Sequence, residues 1–124
     1  MSLFDWLVLG HLVGDFLLQT DNMAKNKSQQ WRWLLRHIAL YMVTMTIIIV
    51  AYALSHPTPL WLAIVAWLFI AGTHLILDRR GFTARWMRLV GTSPDQSWLV
   101  IVVDQIFHLL TLAAVAQVLA LASR

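Results

Sequence analysis

The sequence predicts an all-α integral membrane protein: a four-helix bundle with one short amphipathic helix between its third and fourth helices. Composition is the first reason. Of 124 residues, 60% are apolar and 12% charged, about half the usual charged share of roughly 25% in a soluble domain. Distribution is the second, because the apolar residues collect in four long runs and give a mean hydropathy of +0.70. The third is period. No run alternates as a half-buried strand does, and a segment in lipid must satisfy its own backbone, which a helix does. The length fits a single transmembrane domain over residues 1–124.

The first helix is expected over about 3–20. Leu3–Leu18 alone is short for a span, and Gln19 and Thr20 extend it. Its leading stretch "MSLFDWLVLG" holds an acid, Asp5, and no base, and no small-residue cleavage site follows, so a retained span is expected. The second helix, about 33–54, has the uninterrupted core "YMVTMTIIIVAYAL". The two prolines of "SHPTP" then break the chain before a third helix at about 60–78. The stretch "GFTARWMRLVG", about 81–91, reads as an interfacial helix with Phe82, Trp86 and Leu89 on one face. The fourth helix covers about 97–122. Gly10 and Gly14 form a small-residue pair suited to close helix packing.

Basic residues set the orientation. Lys25, Lys27, Arg32 and Arg36 follow the first run, and Arg79, Arg80, Arg85 and Arg88 follow the third. The connection after the second run has none. The positive-inside rule therefore places these two loops in the cytoplasm and both termini outside, in a bacterial inner membrane. Trp31, Trp33, Trp86 and Trp98 fall at the inner boundary, and Trp6, Tyr52 and Trp61 at the outer one. The partners expected are membrane lipids, with anionic headgroups at the basic loops. No nucleic acid is expected, and the apolar outer faces are open to a homodimer.

Seven ionisable groups break the apolar runs. His11 and Asp15, His74 and Asp78, and Asp104 and His108 each stand four residues apart, so each pair shares a helix face; His37 adds a fourth histidine. On the expected topology all seven lie within roughly 15 Å of the cytoplasmic interface, at about 1.5 Å rise per residue. Ionisable groups in lipid need a partner or a function. With no cysteine in the chain, imidazole and carboxylate point to a divalent Zn, Fe or Mn ion. The set is large enough for two metals, or for one metal with carboxylate support. The metal ligands expected are His11, Asp15, His74, Asp78, Asp104 and His108. His37 is a fourth ligand or an acid near the substrate, and Asp15 and Asp104 are candidate bases. Gln19, Asp21 and Gln105 would orient substrate or water. Asp21 and Asn22 also suit the cap of a helix starting near Met23. Lys25 and Lys27 are accounted for by topology, with phosphate pairing as their alternative.

The stretches "HLVGDFLLQTDNMAKNK", "HLILD" and "DQIFHLL" resemble a bacterial family of small four-helix inner-membrane proteins catalogued as a domain of unknown function. The resemblance covers nearly the whole chain, and His-x-x-Gly-Asp-Phe-x-Leu-Gln-x-Asp is its most specific motif. The matching positions are His11, Gly14, Asp15, Phe16, Gln19, Asp21, His37, His74, Asp78, Asp104, Gln105 and His108. It implies a fold and a membrane location. A looser similarity, on short His-x-x-x-Asp patterns, is to proteins described as membrane-bound metal-dependent hydrolases. The working expectation is hydrolysis of a lipid or lipid-linked substrate by a water that the cation activates. Two alternatives stand beside it. One is a non-enzymatic scaffold or partner-binding module whose His/Asp network is structural; the other is a small metal or proton carrier.

Overall fold

The computed structural model describes residues 1–123. Its helices are α1 (Leu3–Leu12), continued by a π turn (Val13–Leu17), then α2 (Asp21–Asn26), α3 (Trp31–Ser55), α4 (Leu60–Asp78), α5 (Gly81–Leu89) and α6 (Ser97–Ala122). There is no strand among the described residues.

The start of α1 is capped reciprocally. Asp5 N donates to Ser2 Oγ at 3.2 Å, and Ser2 N to Asp5 Oδ2 at 2.6 Å. The other end departs from expectation. Gln19 and Thr20 do not extend the helix, because Thr20 turns extended and its hydroxyl accepts from Met23 N to cap α2. Thr20 thus takes the capping position expected of Asp21 or Asn22. The continuous helix ends at Leu17, short of the roughly 20 residues a bilayer requires. Three helices, not four, are long and apolar enough to cross a membrane: α3, α4 and α6.

Packing is a closed ring in which α1 touches α3 and α6, and α4 touches α3 and α6. Across the two diagonals, α1 with α4 and α3 with α6, only side chains meet, as His11 and His74 do. The core facing the ring's centre includes Leu7, Met45, Ile49, Ala63, Ala66, Ile70, Leu112, Val115 and Leu119. Outward positions such as Leu12, Ile47, Leu68, Phe69 and Leu110 are exposed. This apolar exterior marks a membrane protein and not a water-solvated bundle.

Glycine matters at one contact. A Cβ on Gly14 would stand 2.8 Å from Tyr41 Cδ2 and 3.1 Å from Tyr41 Cα, so the π turn and α3 meet only because the side chain is absent. Thr44 Oγ1 lies 3.1 Å from the Gly10 carbonyl and holds the same seam.

The short helices close one end. α2 packs on α3, and α5 packs across α4 and α6. The chain enters α5 through Arg80, whose φ of 58° is left-handed, a conformation that costs a side chain about 1–2 kcal/mol. That bend turns Thr83 and Met87 onto the bundle, sets the half-exposed Phe82 and Trp86 edge-on against Phe107 of α6, and leaves Leu89 exposed.

Candidate metal centre

Each contribution to the site follows from a helix face. The π turn carries Asp15, and π turns insert one extra residue into a helical cycle, often at functional sites. Leu18 N closes it on the Val13 carbonyl at 3.0 Å. α3 presents His37 and, one turn on, Tyr41. α4 presents His74 and Asp78 in its last two turns, and α6 presents Asp104 and His108. All six ionisable groups are buried, none more than 5% exposed.

Four ligand atoms converge: Asp15 Oδ1, His37 Nε2, His74 Nε2 and Asp78 Oδ2. His37 Nε2 stands 3.0 Å from each carboxylate oxygen and 3.1 Å from His74 Nε2. His74 Nε2 is 3.2 Å from Asp78 Oδ2 and 3.9 Å from Asp15 Oδ1. An ion with four ligands at about 2.0–2.1 Å separates them by about 3.3–3.4 Å in a tetrahedron. The observed spacings straddle that value.

Hydrogen bonding alone does not account for this crowding. One proton on His37 Nε2 can serve one neighbour, yet three other ligand atoms lie within 3.1 Å. Asp78 Oδ2 has nitrogens of Lys27, His37 and His74 within 3.2 Å, but none of these approaches has hydrogen-bond geometry. A cation at the shared point would satisfy all four atoms at once. The residues present therefore fit a divalent metal.

One cation is already at the edge of this set. Lys27 Nζ donates to Asp15 Oδ1 at 2.9 Å, lies 3.0 Å from Asp78 Oδ2, and is 3.2 Å from His37 Nε2. Lys27 is only 5% exposed, so this expected interfacial lysine is instead part of the site. The signal in the sequence was Met23, four residues earlier, which marks the buried face of α2.

His11 stands outside the converging atoms. Its Nε2 donates to Gln105 Oε1 at 2.8 Å, and its Nδ1 is 3.2 Å from the Tyr41 hydroxyl. Gln105 Nε2 in turn donates to Asp15 Oδ2 at 2.8 Å. The relay Tyr41–His11–Gln105–Asp15 leaves Asp15 Oδ1 to the converging set and holds its other oxygen. The Tyr41 ring also stacks on His74, centroids 3.7 Å apart. Gln105 thus touches the site by orienting a carboxylate. Asp21 is exposed at the start of α2, and Gln19 has a buried Oε1 without a partner; neither joins a ligand group.

Asp78, Asp104 and His108 form a second group, with ligand atoms within 4.8 Å of one another. Thr83, from α5, donates to Asp104 Oδ1 at 3.0 Å. Nothing in the sequence distinguished Thr83 except its spacing of four from Met87, the other buried residue of that helix.

Fold and site together define an all-α protein with candidate membrane spans and a buried His/Asp cluster able to hold a metal ion. The chain belongs to the family described as protein of unknown function (DUF3307), which matches residues 3–124. No curated protein and no solved structure matches it.

Proposed function

We propose that this protein holds a divalent Zn, Fe or Mn ion on Asp15, His37, His74 and Asp78, in the cytoplasmic half of an inner-membrane four-helix bundle. The single observation that carries this reading is the convergence of four buried ligand atoms, all within 4.8 Å of one another and three of them within 3.1 Å of His37 Nε2. The basic residues support the orientation, with loops one and three inside and both termini outside. Arg32 and Arg36 lie over the Trp33 ring, and Arg79 over Trp31, so the start of α3 and the end of α4 share a cationic, aromatic level. In such a bilayer α1 would enter from outside and stop at the site, with its π turn packed on α3 and Asp15 bonded to Gln105 of α6.

Metal content tests the proposal. Protein purified in detergent without chelator should carry metal near stoichiometry, and His74→Ala should lose it. A metal-free wild type that takes up neither Zn nor Mn on dialysis would leave the Lys27–Asp network as a structural feature only.

Hydrolysis of a lipid or lipid-linked substrate is a second reading, favoured by one contact. Thr83 ties the interfacial helix α5 directly to Asp104, so the element nearest the headgroups also covers a candidate base. In this reading Asp104 accepts the proton, Asp15 and His37 stay on the metal, and α5 must shift to admit substrate to the buried cluster. Turnover of a phospholipid or prenyl phosphate by wild type, abolished in Asp104→Asn, would support it. Failure across both lipid classes would remove it. Transport is the weaker reading, because the core beyond the site, from Met45 to Leu119, is apolar.

A further inference from the structure

The atoms left over by the first site point to a second. His108 Nδ1 donates to the Asp104 carbonyl at 2.9 Å, which fixes the tautomer and leaves Nε2 with a lone pair. That Nε2 is buried, has no hydrogen-bond partner, and lies 3.8 Å from Asp78 Oδ1. Asp78 offers its other oxygen, Oδ2, to the first group. Asp104 has Oδ1 engaged by Thr83, while Oδ2, 3.6 Å from His108 Nδ1, accepts no hydrogen bond. An apolar bundle gains nothing from leaving the His108 Nε2 buried and unpartnered across a gap from the Asp78 carboxylate, because such a nitrogen costs about 1–3 kcal/mol.

We infer that Asp78, Asp104 and His108 hold a second divalent cation, bridged to the first by the Asp78 carboxylate. The inference rests on the metal reading of the first site and adds to it. Two carboxylates and one imidazole make an oxygen-rich set, suited to Mn²⁺ or Fe²⁺ and also open to Zn²⁺. The two sites differ in kind. The first has four protein ligands and is closed, whereas the second has three and leaves a coordination position open, as catalytic centres do. A carboxylate shared between two cations is also a common device of two-metal sites, where it fixes the pair. Thr83 would set the plane of the Asp104 carboxylate, as hydrogen-bonded partners of metal ligands do.

Mn²⁺ alone is the probe. Full-length protein in detergent, stripped and dialysed against Mn²⁺, should bind two ions per chain, and His108→Ala and Asp104→Asn should each bind one. Wild type should give the electron paramagnetic resonance of a spin-coupled pair. In both variants that signal should collapse to the six-line spectrum of isolated Mn²⁺. The wild-type spectrum serves even if the variants fold poorly. One ion per chain, lost in His74→Ala but unchanged in His108→Ala, would overturn the second site and leave the first. No bound ion in wild type would overturn both.

Discussion

Lys27 Nζ donates to Asp15 Oδ1 across 2.9 Å, with both side chains all but sealed from solvent. The same carboxylate oxygen belongs to the four-atom set that fits a metal. An ammonium and a divalent cation cannot share those carboxylates without strong repulsion at about 3–4 Å in a low-dielectric interior. In the metal reading, lysine and metal compete, and several expectations follow from that competition and from the contacts around it.

Lys27→Met should change the two states in opposite directions. Without metal, two buried carboxylates lose their cation, a loss worth about 3–5 kcal/mol for a broken buried pair. With metal, the competitor is gone, and affinity should rise about tenfold or more. Thermal unfolding in one detergent, with and without Zn²⁺, and competition titration against a chelating dye measure both effects. Weaker metal binding in Lys27→Met would mean that the lysine assists the site.

Metal should also loosen the segment that carries Lys27. Once displaced, the ammonium no longer ties α2 to α1 and α4, and Lys25 and Lys27 should become more readily cleaved. Trypsin digestion in detergent should accelerate at these bonds on adding Zn²⁺, while the rest of the chain becomes more resistant. Uniform protection of this segment would contradict displacement.

Gln105→Leu should lower metal affinity by about 10–100-fold, the usual effect of removing a group that orients a ligand. It frees Asp15 Oδ2 and breaks the bridge to His11. Isothermal titration reads the loss. An unchanged affinity would make the relay from Tyr41 to Asp15 irrelevant to binding.

Gly14→Ala should destabilise by about 1–3 kcal/mol through overpacking, because its Cβ meets the backbone and ring of Tyr41. Gly10→Ala should be milder, since the nearest obstruction there is the flexible tip of Ile48. Thermal midpoints in matched detergent rank the two. Metal affinity should fall only in Gly14→Ala, whose neighbour is Asp15.

Much of the site was legible because polar groups are conspicuous in apolar runs. His74 with Asp78, and Asp104 with His108, declared a shared face by their spacing. Spacing was not enough to separate His11 from His74, since each lies four residues before an aspartate. The difference comes from across the bundle: Gln105 occupies one nitrogen of His11, while His74 meets Asp78 and His37. Lys27 was obscured by neighbours of like charge, all explained equally well by topology. The first helix was read too long because Thr20 suits a helix interior in lipid and a cap in a turn, and its contact with Met23 decides for the cap.

The π turn at Val13–Leu17 bears on how this chain tolerates change in length. A π turn is an α turn with one residue too many, so a single deletion there would restore regular hydrogen bonding and a better helix. The flanks would keep nearly the same phase, because five residues of a π turn sweep about the angle that four sweep in an α-helix. What changes is the turn itself, and Asp15 lies inside it. A shortened chain would be expected to fold as well or better while losing the carboxylate from its cluster. Length in this one turn, more than the identity of its apolar residues, is what aims Asp15 at the other three helices.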